Sequence, residues 1–293
     1  MPAVPFEYHA PRTLEDAIAL LREGGEGAKP LAGGQSLVPL LTLRLARPEV
    51  LVDLNHLEEL RVVRRDGDEL FIGALVRHRA LERGEGVLRA CPLLQEAAAL
   101  IGNVRVRALG TIGGSLAHAD PAAELPAVAQ VLDGTLVVRG PSGERRISAR
   151  DFFVGALTTG LGPAEVIAGV RLPVLGPGVG YAVEEFTRRA GDFAIVAAIA
   201  VVELHPTGEI ARARVALAGV GSTPRRLPGV EAAVAGQRPQ TDILRRAAGG
   251  AAREIDPDGD AHASASYRRH LARVLTARAL ERAAAVAARR KTA

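Results

Sequence analysis

Two glycine pairs, each in a turn that leads toward a helical segment, constrain the fold of this chain more than any other feature. The first lies in Ala32-Gly33-Gly34-Gln35-Ser36 and the second in Thr111-Ile112-Gly113-Gly114-Ser115. Glycine lets the backbone approach a ligand closely, and a helix start offers unpaired N–H groups and the positive end of a dipole. Such turns suit phosphate, and two of them predict a pyrophosphate site. For either pair alone, a tight turn without a ligand is the structural alternative.

Neither turn matches a common nucleotide fingerprint. The chain contains no G-x-x-x-x-G-K-[ST] sequence, and the nearest candidate for G-x-G-x-x-G, residues 219–224, has proline at the third glycine position. A P-loop or a Rossmann domain is therefore not expected. The stretch at 219–224 is interpreted as the turn that ends a strand.

The order of the predicted elements favours α+β domains over a doubly wound sheet, because strands and helices do not alternate strictly. Helical spacing predicts helices at residues 14–21, after a capping box of Thr13 and Asp16, at 37–45 with Ser36 as the cap, and at 79–83, 87–101, 122–132, 227–235, 242–252 and 264–289. Strands, several of them in hairpins, are predicted at 29–32, 49–54, 60–65, 69–74, 135–139, 144–147, 165–172, 181–187, 194–204 and 210–218.

A segment rich in proline and glycine, residues 173–178, predicts a domain boundary. We assign residues 1–177 to the first domain and 178–293 to the second. The second domain is expected to end in the long helix at 264–289. The arginines of this helix are interpreted as a solvated face, with docking of another subunit as the alternative.

Composition excludes several classes of protein. The longest apolar run, residues 193–202, is about half of the roughly 20 residues that a membrane-spanning helix needs. Residues 1–7 lack the basic and apolar regions of a secretion signal, so a cytoplasmic protein is expected. The net charge is +4 and all but two of the 37 basic residues are arginine. Nucleic-acid binding is still not expected, because acidic residues are interspersed with the arginines and aromatic residues are few.

Cys91 is the single cysteine of the chain. One thiol can form neither an internal disulfide nor an iron–sulfur cluster, which usually takes four cysteines. Any such cluster must therefore lie on another chain.

Longer motifs around both glycine turns resemble the FAD-binding medium subunit of molybdenum hydroxylases, the family of aerobic carbon monoxide dehydrogenase and xanthine dehydrogenase. These motifs are residues 32–37 and 111–126. Residues 187–194, 217–221 and 262–269 resemble the C-terminal domain of that family, so the resemblance covers nearly the whole chain. It implies a two-lobed FAD-binding domain of the PCMH type, followed by a C-terminal domain with a small antiparallel sheet and helices.

In this family the two glycine turns together hold the FAD pyrophosphate through backbone N–H groups. The resemblance assigns this role to Gly33, Gly34, Gly113 and Gly114. Polar side chains beside them are expected to help, namely Gln35, Ser36, Thr111 and Ser115. The remaining members of the two glycine motifs are apolar: Ala32, Leu37 and Ile112. Valine at Gly34 or Gly113 is expected to abolish flavin binding and to leave a folded chain.

The resemblance extends to five further residues. Glu124 takes the place of a ribose-binding carboxylate that is usually aspartate. Asp120 is either part of the site or a helix cap, and His118 either faces the flavin or is solvated. Phe193 matches an aromatic residue that covers the flavin ring, with sheet core as its alternative. Ile101 either packs near the flavin or belongs to helix core.

Two positions depart from the family pattern. Phe193 lacks the hydroxyl group of tyrosine, so we expect no hydrogen bond from it to the flavin ring. Glu184-Glu185 occupies the region of a family lysine. We therefore expect no cation to tune the flavin at that position.

The resemblance implies a FAD-binding electron-transfer subunit. Substrate is oxidised at a molybdopterin site on a large partner subunit, and electrons pass through two [2Fe–2S] clusters of a small partner subunit to this FAD and then to a terminal acceptor. A dimer of such heterotrimers is expected. Two alternatives stay open: a self-contained FAD-dependent reductase of the same fold, for which no positioned proton donor is evident, and a partner-binding scaffold that has lost FAD.

Overall fold

Three β-sheets with packed helices and a two-stranded ribbon make up residues 5–84 and 86–292, which the computed structural model describes. Residues 1–4, which contribute to the prediction about a secretion signal, lie outside the described residues. None of the helices within the described ranges combines the length and the apolar character that crossing a membrane requires. The mixture of sheets and helices confirms the predicted α+β class.

The first lobe is a three-stranded parallel sheet with helices beside it. Its elements are β1 (Glu7–His9), α1 (Leu14–Gly24), β2 (Ala28–Leu31), α2 (Leu37–Thr42) and β3 (Val50–Asp53), and the strand order is β1-β3-β2. The predicted capping box is present, since the Thr13 side chain accepts a hydrogen bond from the Asp16 N–H at 3.2 Å. Helix α2 is shorter than predicted, and Arg44 follows it with a left-handed φ of 58°, which a continuing helix cannot include. Ser36 is the N-cap residue of α2, as predicted, but its side chain makes no capping hydrogen bond.

The second lobe is built on a five-stranded antiparallel sheet. In the described part of the chain, the lobe contains seven strands, five in this sheet and two in the separate ribbon. They are β4 (Val63–Asp66), β5 (Glu69–Gly73), β6 (Thr135–Gly140), β7 (Gly143–Ser148), β8 (Phe153–Gly155), β9 (Thr158–Thr159) and β10 (Val166–Pro173). Its helices are α3 (His78–Arg83), α4 (Pro92–Leu100), α5 (Val104–Leu109), α6 (Ile112–His118), α7 (Glu124–Val131) and α8 (Ala149–Phe152). The strand order is β4-β5-β10-β6-β7, while β8 and β9 form the ribbon, and both predicted hairpins are confirmed.

Two predictions for this lobe are wrong. The helix expected at residues 87–101 is divided into a 3-10 turn at Gly86–Ala90 and helix α4, which begins at Pro92, because proline fits the first position of a helix but not its interior. The second glycine pair lies inside the first turn of α6 and not in a loop before a later helix. Thr111 caps this helix, since its Oγ1 accepts a hydrogen bond from the Gly114 N–H at 3.0 Å.

The last domain is a four-stranded antiparallel sheet covered by helices. Its elements are β11 (Val179–Phe186), β12 (Val196–Leu204), β13 (Ile210–Ala218), β14 (Arg225–Arg226), α9 (Pro228–Val234), α10 (Thr241–Ala248) and α11 (Ala265–Thr292), with the strands paired in chain order. Its sheet shares a buried apolar core with the second lobe. The chain passes from one sheet to the other between Pro173 and Val179, and the predicted boundary falls in this connection.

Three arginine side chains of α11 form hydrogen bonds with backbone carbonyl groups elsewhere in this chain. Backbone carbonyl oxygens accept hydrogen bonds from them at 2.5–2.7 Å, in the pairs Arg268–Ile195, Arg282–Val183 and Arg290–Leu175. The interpretation of this helix as a solvated arginine face is therefore wrong for Arg268, which is buried, whereas Arg282 remains exposed. All three arginines hold the helix against its own sheet and the preceding connection.

Asp133, two residues after α7, binds Arg150 of its own lobe and joins that lobe to the last domain through Arg212, Arg214 and Arg226. Its carboxylate accepts hydrogen bonds from Arg150 and Arg226 at 2.8 Å each, and it lies 3.2 Å from Arg212 and 3.5 Å from Arg214. Burial alone would raise the pKa of Asp133, but Arg226 and Arg150 outweigh it, and the pKa lies below its ordinary value. The charged carboxylate therefore stabilises the folded state.

Replacing Asp133 by alanine is expected to lower the free energy of unfolding by about 2 kcal/mol, because Arg214 and Arg226 lose a partner while largely buried. Urea unfolding at pH 7 measures this change. Asp242→Ala is the control, since the Asp242–Arg246 pair is exposed and its loss should change stability by less than about 0.5 kcal/mol. The wild-type advantage is complete above the ordinary carboxyl pKa and is lost as the pH falls through the lowered value. Equal stabilities at pH 7 would contradict this role of Asp133.

Candidate functional site

A cleft between the two lobes and the start of the last domain is the candidate site. Its volume is about 840 Å³, and its wall includes the first glycine turn, the starts of α6 and α7, the loop at 161–167 and residues 191–193. Every residue that the sequence predicts for the site lies on this wall except Ile112, whose side chain is buried in the core. A cleft of this size is typical of cofactor sites.

The first glycine turn leaves four successive backbone N–H groups free at the cleft wall. Within the described residues, the N–H groups of residues 33–36 donate to no acceptor of the protein. Gly34 has a φ of 69°, the left-handed conformation found in anion-binding nests of successive N–H groups. The Gln35 Nε2 donates to the Gly33 carbonyl oxygen at 3.0 Å and so stabilises the turn. This turn can bind a phosphate without losing an existing hydrogen bond.

Arg77 and Asn55 connect the two glycine turns. The Asn55 Nδ2 donates to the Ala32 carbonyl oxygen at 2.8 Å, and the Arg77 Nη2 donates to the Asn55 Oδ1 at 2.6 Å. The Arg77 Nη1 donates to the Leu109 carbonyl oxygen, just before the second turn. These hydrogen bonds fix the position of one turn relative to the other.

The second glycine pair differs from the first in its hydrogen bonds. The Gly113 N–H donates to the Ala74 carbonyl oxygen at 2.9 Å, and the Gly114 N–H donates to the Thr111 Oγ1 at 3.0 Å. Both pairs were expected from the sequence to offer N–H groups to a phosphate, but those of Gly113 and Gly114 already bond within the protein. Their part in FAD binding stays a prediction.

Close packing explains the glycines at positions 33 and 113. A Cβ at Gly33 would lie 2.3 Å from the Leu109 carbonyl oxygen, and one at Gly113 would lie 2.4 Å from the Ala74 Cβ. Both distances are too short for any side chain in a close-packed protein. Valine at Gly113 is therefore expected to disturb folding, which corrects the expectation of a folded chain without flavin.

Acidic side chains line another part of the cleft. Glu124, the first residue of α7, is 5% exposed, and its pKa is raised to about 8 by burial first and then by the charges of Glu185 and Asp120. The Asp120 Oδ1 accepts a hydrogen bond from the Ala122 N–H at 2.9 Å, which stabilises the turn before the helix. Helix α7 consequently begins at Glu124 and not at residue 122 as predicted. Asp120 also lies on the cleft wall.

Phe193, Ile101 and His118 contribute to the same wall. Phe193 is 59% exposed, which excludes the alternative that it belongs to the sheet core. Ile101 follows the last turn of α4 and belongs to both the buried core and the wall. His118 ends α6 and is partly exposed.

Three parts of the wall were not predicted from the sequence. Lys29, in β2, is one of only two lysines and lies four residues before the first glycine pair. This short spacing from the glycine turn indicates a cation at the phosphate site. His78 is buried beside Gly110, and burial lowers its pKa to about 4, so its ring is neutral at pH 7. The loop at 161–167 is held by an ion pair of Arg145 and Glu165 at 2.6 Å. No local pattern relates this loop to the distant glycine motifs.

The residues of the cleft fit FAD. The free N–H groups of residues 33–36 and the Lys29 ammonium suit a pyrophosphate. Glu124 can form a hydrogen bond with a hydroxyl group, and Phe193 and Ile101 offer apolar contact for a ring system. The fold and the cleft together define a flavoprotein that binds FAD.

Comparisons with known proteins give the family. The family described as "FAD binding domain in molybdopterin dehydrogenase" matches residues 4–175, and "CO dehydrogenase flavoprotein C-terminal domain" matches residues 181–283. The chain therefore belongs to the family of FAD-binding medium subunits of the carbon monoxide dehydrogenase and xanthine dehydrogenase type, as the resemblance predicts.

Individual relatives align along nearly the whole chain. The 6-hydroxypseudooxynicotine dehydrogenase complex subunit alpha of Paenarthrobacter nicotinovorans is 40% identical over 95% of this chain and 94% of its own length. The carbon monoxide dehydrogenase medium chain of Afipia carboxidovorans is 38% identical over 96% of this chain and 97% of its own length. A solved structure of carbon monoxide dehydrogenase from Hydrogenophaga pseudoflava superposes with a TM-score of 0.94 at 38% identity, covering 97% of this chain and 99% of that chain.

Proposed function

We propose that this chain is the electron-transfer subunit of a molybdenum hydroxylase. It binds FAD in the cleft and passes electrons from [2Fe–2S] clusters of a small partner subunit to a terminal acceptor. A large molybdopterin subunit oxidises the substrate. The cleft carries this proposal, because it brings the two glycine motifs, Glu124 and Phe193 to one wall. The printed names of the relatives, "subunit alpha" and "medium chain", support a role within a larger assembly.

The residues of this chain bind and orient the cofactor, and FAD supplies the redox chemistry when it is bound. The N–H groups of residues 33–36 and Lys29 would hold the pyrophosphate. Glu124 would bind a ribose hydroxyl group. Phe193 and Ile101 would make apolar contacts with the flavin ring.

Substrate oxidation is assigned to another chain. Nowhere in residues 5–84 and 86–292 are three or more His, Cys, Asp or Glu side chains grouped to hold a metal ion. Cys91 is fully buried, and burial raises the pKa of its thiol to about 12, so the thiol is not a nucleophile. Two relatives of similar identity are named for different compounds, 6-hydroxypseudooxynicotine and carbon monoxide, which supports a substrate choice made outside this subunit.

The proposed assembly is a dimer of heterotrimers with the small and large partner subunits. Exposed apolar side chains beside the first glycine turn, Val38, Leu43 and Leu45, give a surface that a partner subunit can cover. A cytoplasmic location and a domain boundary between residues 177 and 178 belong to the same proposal.

The cofactor of the purified chain is expected to be FAD and not FMN. The free N–H groups of the first turn suit a pyrophosphate, and Glu124 suits the ribose of a dinucleotide. Acid release followed by chromatography identifies the flavin. Recovery of FMN alone would reject the assignment, and a colourless chain that does not take up added FAD would favour the partner-binding scaffold.

A further inference from the structure

The carboxyl group of Glu124 is buried on the cleft wall without a side-chain partner. The residue is 5% exposed, and among the described residues no side chain donates a hydrogen bond to it. The donor that faces its carboxyl group is its own backbone N–H. Burial destabilises an ionised carboxylate here, and the backbone N–H and the positive end of α7 offset this only in part, since the pKa of Glu124 is raised.

A second carboxyl group, that of Glu185, lies close enough to Glu124 for its charge to raise the pKa of Glu124. Glu185 is on β11, opposite Ala197 of β12, and its Oε2 is buried without a hydrogen-bond partner. The neighbouring Glu184 points to the other face of the strand, where it pairs with Arg282 at 3.2 Å. The structure therefore brings an unpaired carboxyl group from the last domain against the site of the second lobe.

The other charged groups around α7 do not neutralise this pair. Asp120 and His118 lie on the same cleft wall, and Asp120 adds a third carboxyl group. On α4, Glu96 accepts a hydrogen bond from the Val183 N–H at 2.8 Å and is paired with Arg282.

Cations lie near the opposite end of α7. There, Arg150 and Arg226 bind Asp133.

Burial raises the pKa of Glu185 to about 7, and the pKa of Glu124 is about 8. At pH 7 the Glu124 carboxyl group therefore favours the protonated form, whereas Glu185 is about half ionised and its charge disfavours ionisation of Glu124.

We propose that Glu124 and Glu185 form a carboxyl pair that retains a proton when FAD is bound, so that Glu124 meets the cofactor as a neutral acid. The proposal rests on the proposed function. FAD brings two negative phosphate charges into the same cleft, which disfavours an ionised Glu124 further. A neutral carboxylic acid can both donate and accept a hydrogen bond, and so can a ribose hydroxyl group. A protonated Glu124 side chain is therefore a suitable hydrogen-bond partner for a ribose hydroxyl group of FAD.

The proton balance follows from this assignment. Above neutral pH a proton from the solvent is taken up by a Glu124 or Glu185 oxygen as FAD binds, and it returns to the solvent when FAD leaves. Glu124 touches the cofactor, whereas Glu185 is a positioning residue that keeps the proton on the pair. FAD affinity should therefore fall as the pH rises through the pKa of Glu124.

Calorimetry of FAD binding to the flavin-free full chain measures this proton. Titrations at pH 8 in two buffers of different ionisation enthalpy should show uptake of about half a proton per FAD, because the pKa of Glu124 is about 8, and uptake should become small at pH 6. The dissociation constant should be about tenfold larger at pH 9 than at pH 7. Proton release, or no uptake at pH 8, would overturn the proposal.

Three variants separate the pair from its surroundings. Glu124→Gln imitates the neutral acid but cannot take up a proton, so its FAD affinity should not change between pH 7 and pH 9. Glu185→Gln removes a like charge, so proton uptake should shift to lower pH. Glu184→Gln is the matched control and should keep the wild-type proton count, since Glu184 points away toward Arg282.

The outcomes distinguish this inference from the proposed function. A Glu124→Gln chain whose FAD affinity still falls tenfold between pH 7 and pH 9 would show that another group takes up the proton. A Glu185→Gln profile identical to that of the wild type would show that Glu185 is not the partner. A wild-type chain that binds no FAD at all would instead reject the proposed function. The wild-type calorimetry remains decisive if a variant does not fold.

Discussion

Alanine at Gly33 is expected to weaken FAD binding by about 100-fold, the equivalent of losing one or two hydrogen bonds to charged oxygens. The added Cβ would lie 2.3 Å from the Leu109 carbonyl oxygen and 2.8 Å from the Gly110 Cα. Because both contacts are backbone, the first turn has to move away from the second. The four free N–H groups at residues 33–36 then lose their shared position. Fluorescence titration of the flavin-free chain with FAD measures the loss.

Gly221→Ala is the matched control for this substitution. Its Cβ would have no heavy atom within 4 Å, and it lies in the stretch 219–224 that was rejected as a nucleotide fingerprint. FAD affinity should therefore be unchanged in this variant. Circular dichroism of the flavin-free Gly33→Ala chain should resemble that of the wild type, because Gly33 lies in a partly exposed turn that can shift, whereas Gly113 is buried within α6. Full FAD occupancy in Gly33→Ala would show that the first turn does not hold the cofactor.

The isolated chain is expected to bind FAD and to oxidise no organic substrate. Dithionite should bleach its flavin absorbance, and oxygen should restore it. Aldehydes, purines and carbon monoxide should leave the flavin oxidised, because the proposed function assigns substrate oxidation to the large partner subunit. The expected difference is complete, since in the proposed relay electrons reach the flavin only through the partner subunits.

Reconstitution provides the control for this second prediction. When the small [2Fe–2S] subunit and the large molybdopterin subunit are added, the substrate of the assembly should reduce the flavin. Bleaching by an organic substrate in the isolated, metal-free chain would overturn the relay. It would favour the self-contained reductase, and the buried carboxyl group of Glu124 would then be the first candidate for its proton donor.

Local chemistry made much of the fold predictable. The Thr13–Asp16 capping box, the alternation in the hairpin strands and the proline-rich connection at 173–178 act over a few residues, so the sequence displays them directly. The two glycine pairs were equally visible. Their positions in one cleft agree with the resemblance to a known family, although Gly113 and Gly114 bond within the protein.

Features that depend on distant contacts were not predictable. The wall formed by residues 161–167 meets the glycine motifs through the tertiary fold. Arg268 was expected on a solvated face, because a helical pattern does not show the backbone carbonyl groups of the adjacent sheet that bind and bury it. Glu185 was expected only as the replacement of a lysine, and its effect on Glu124 depends on where the pairing of β11 with β12 places it.

The burial of Cys91 has a practical consequence for studying the assembly. Its thiol is inaccessible and stays protonated, so thiol-reactive dyes and spin labels should not modify the folded wild-type chain. A cysteine introduced at an exposed position such as Val154, which is 61% exposed, would then be the one site to react. The chain thereby provides a background-free scaffold for spectroscopic distance measurements between subunits.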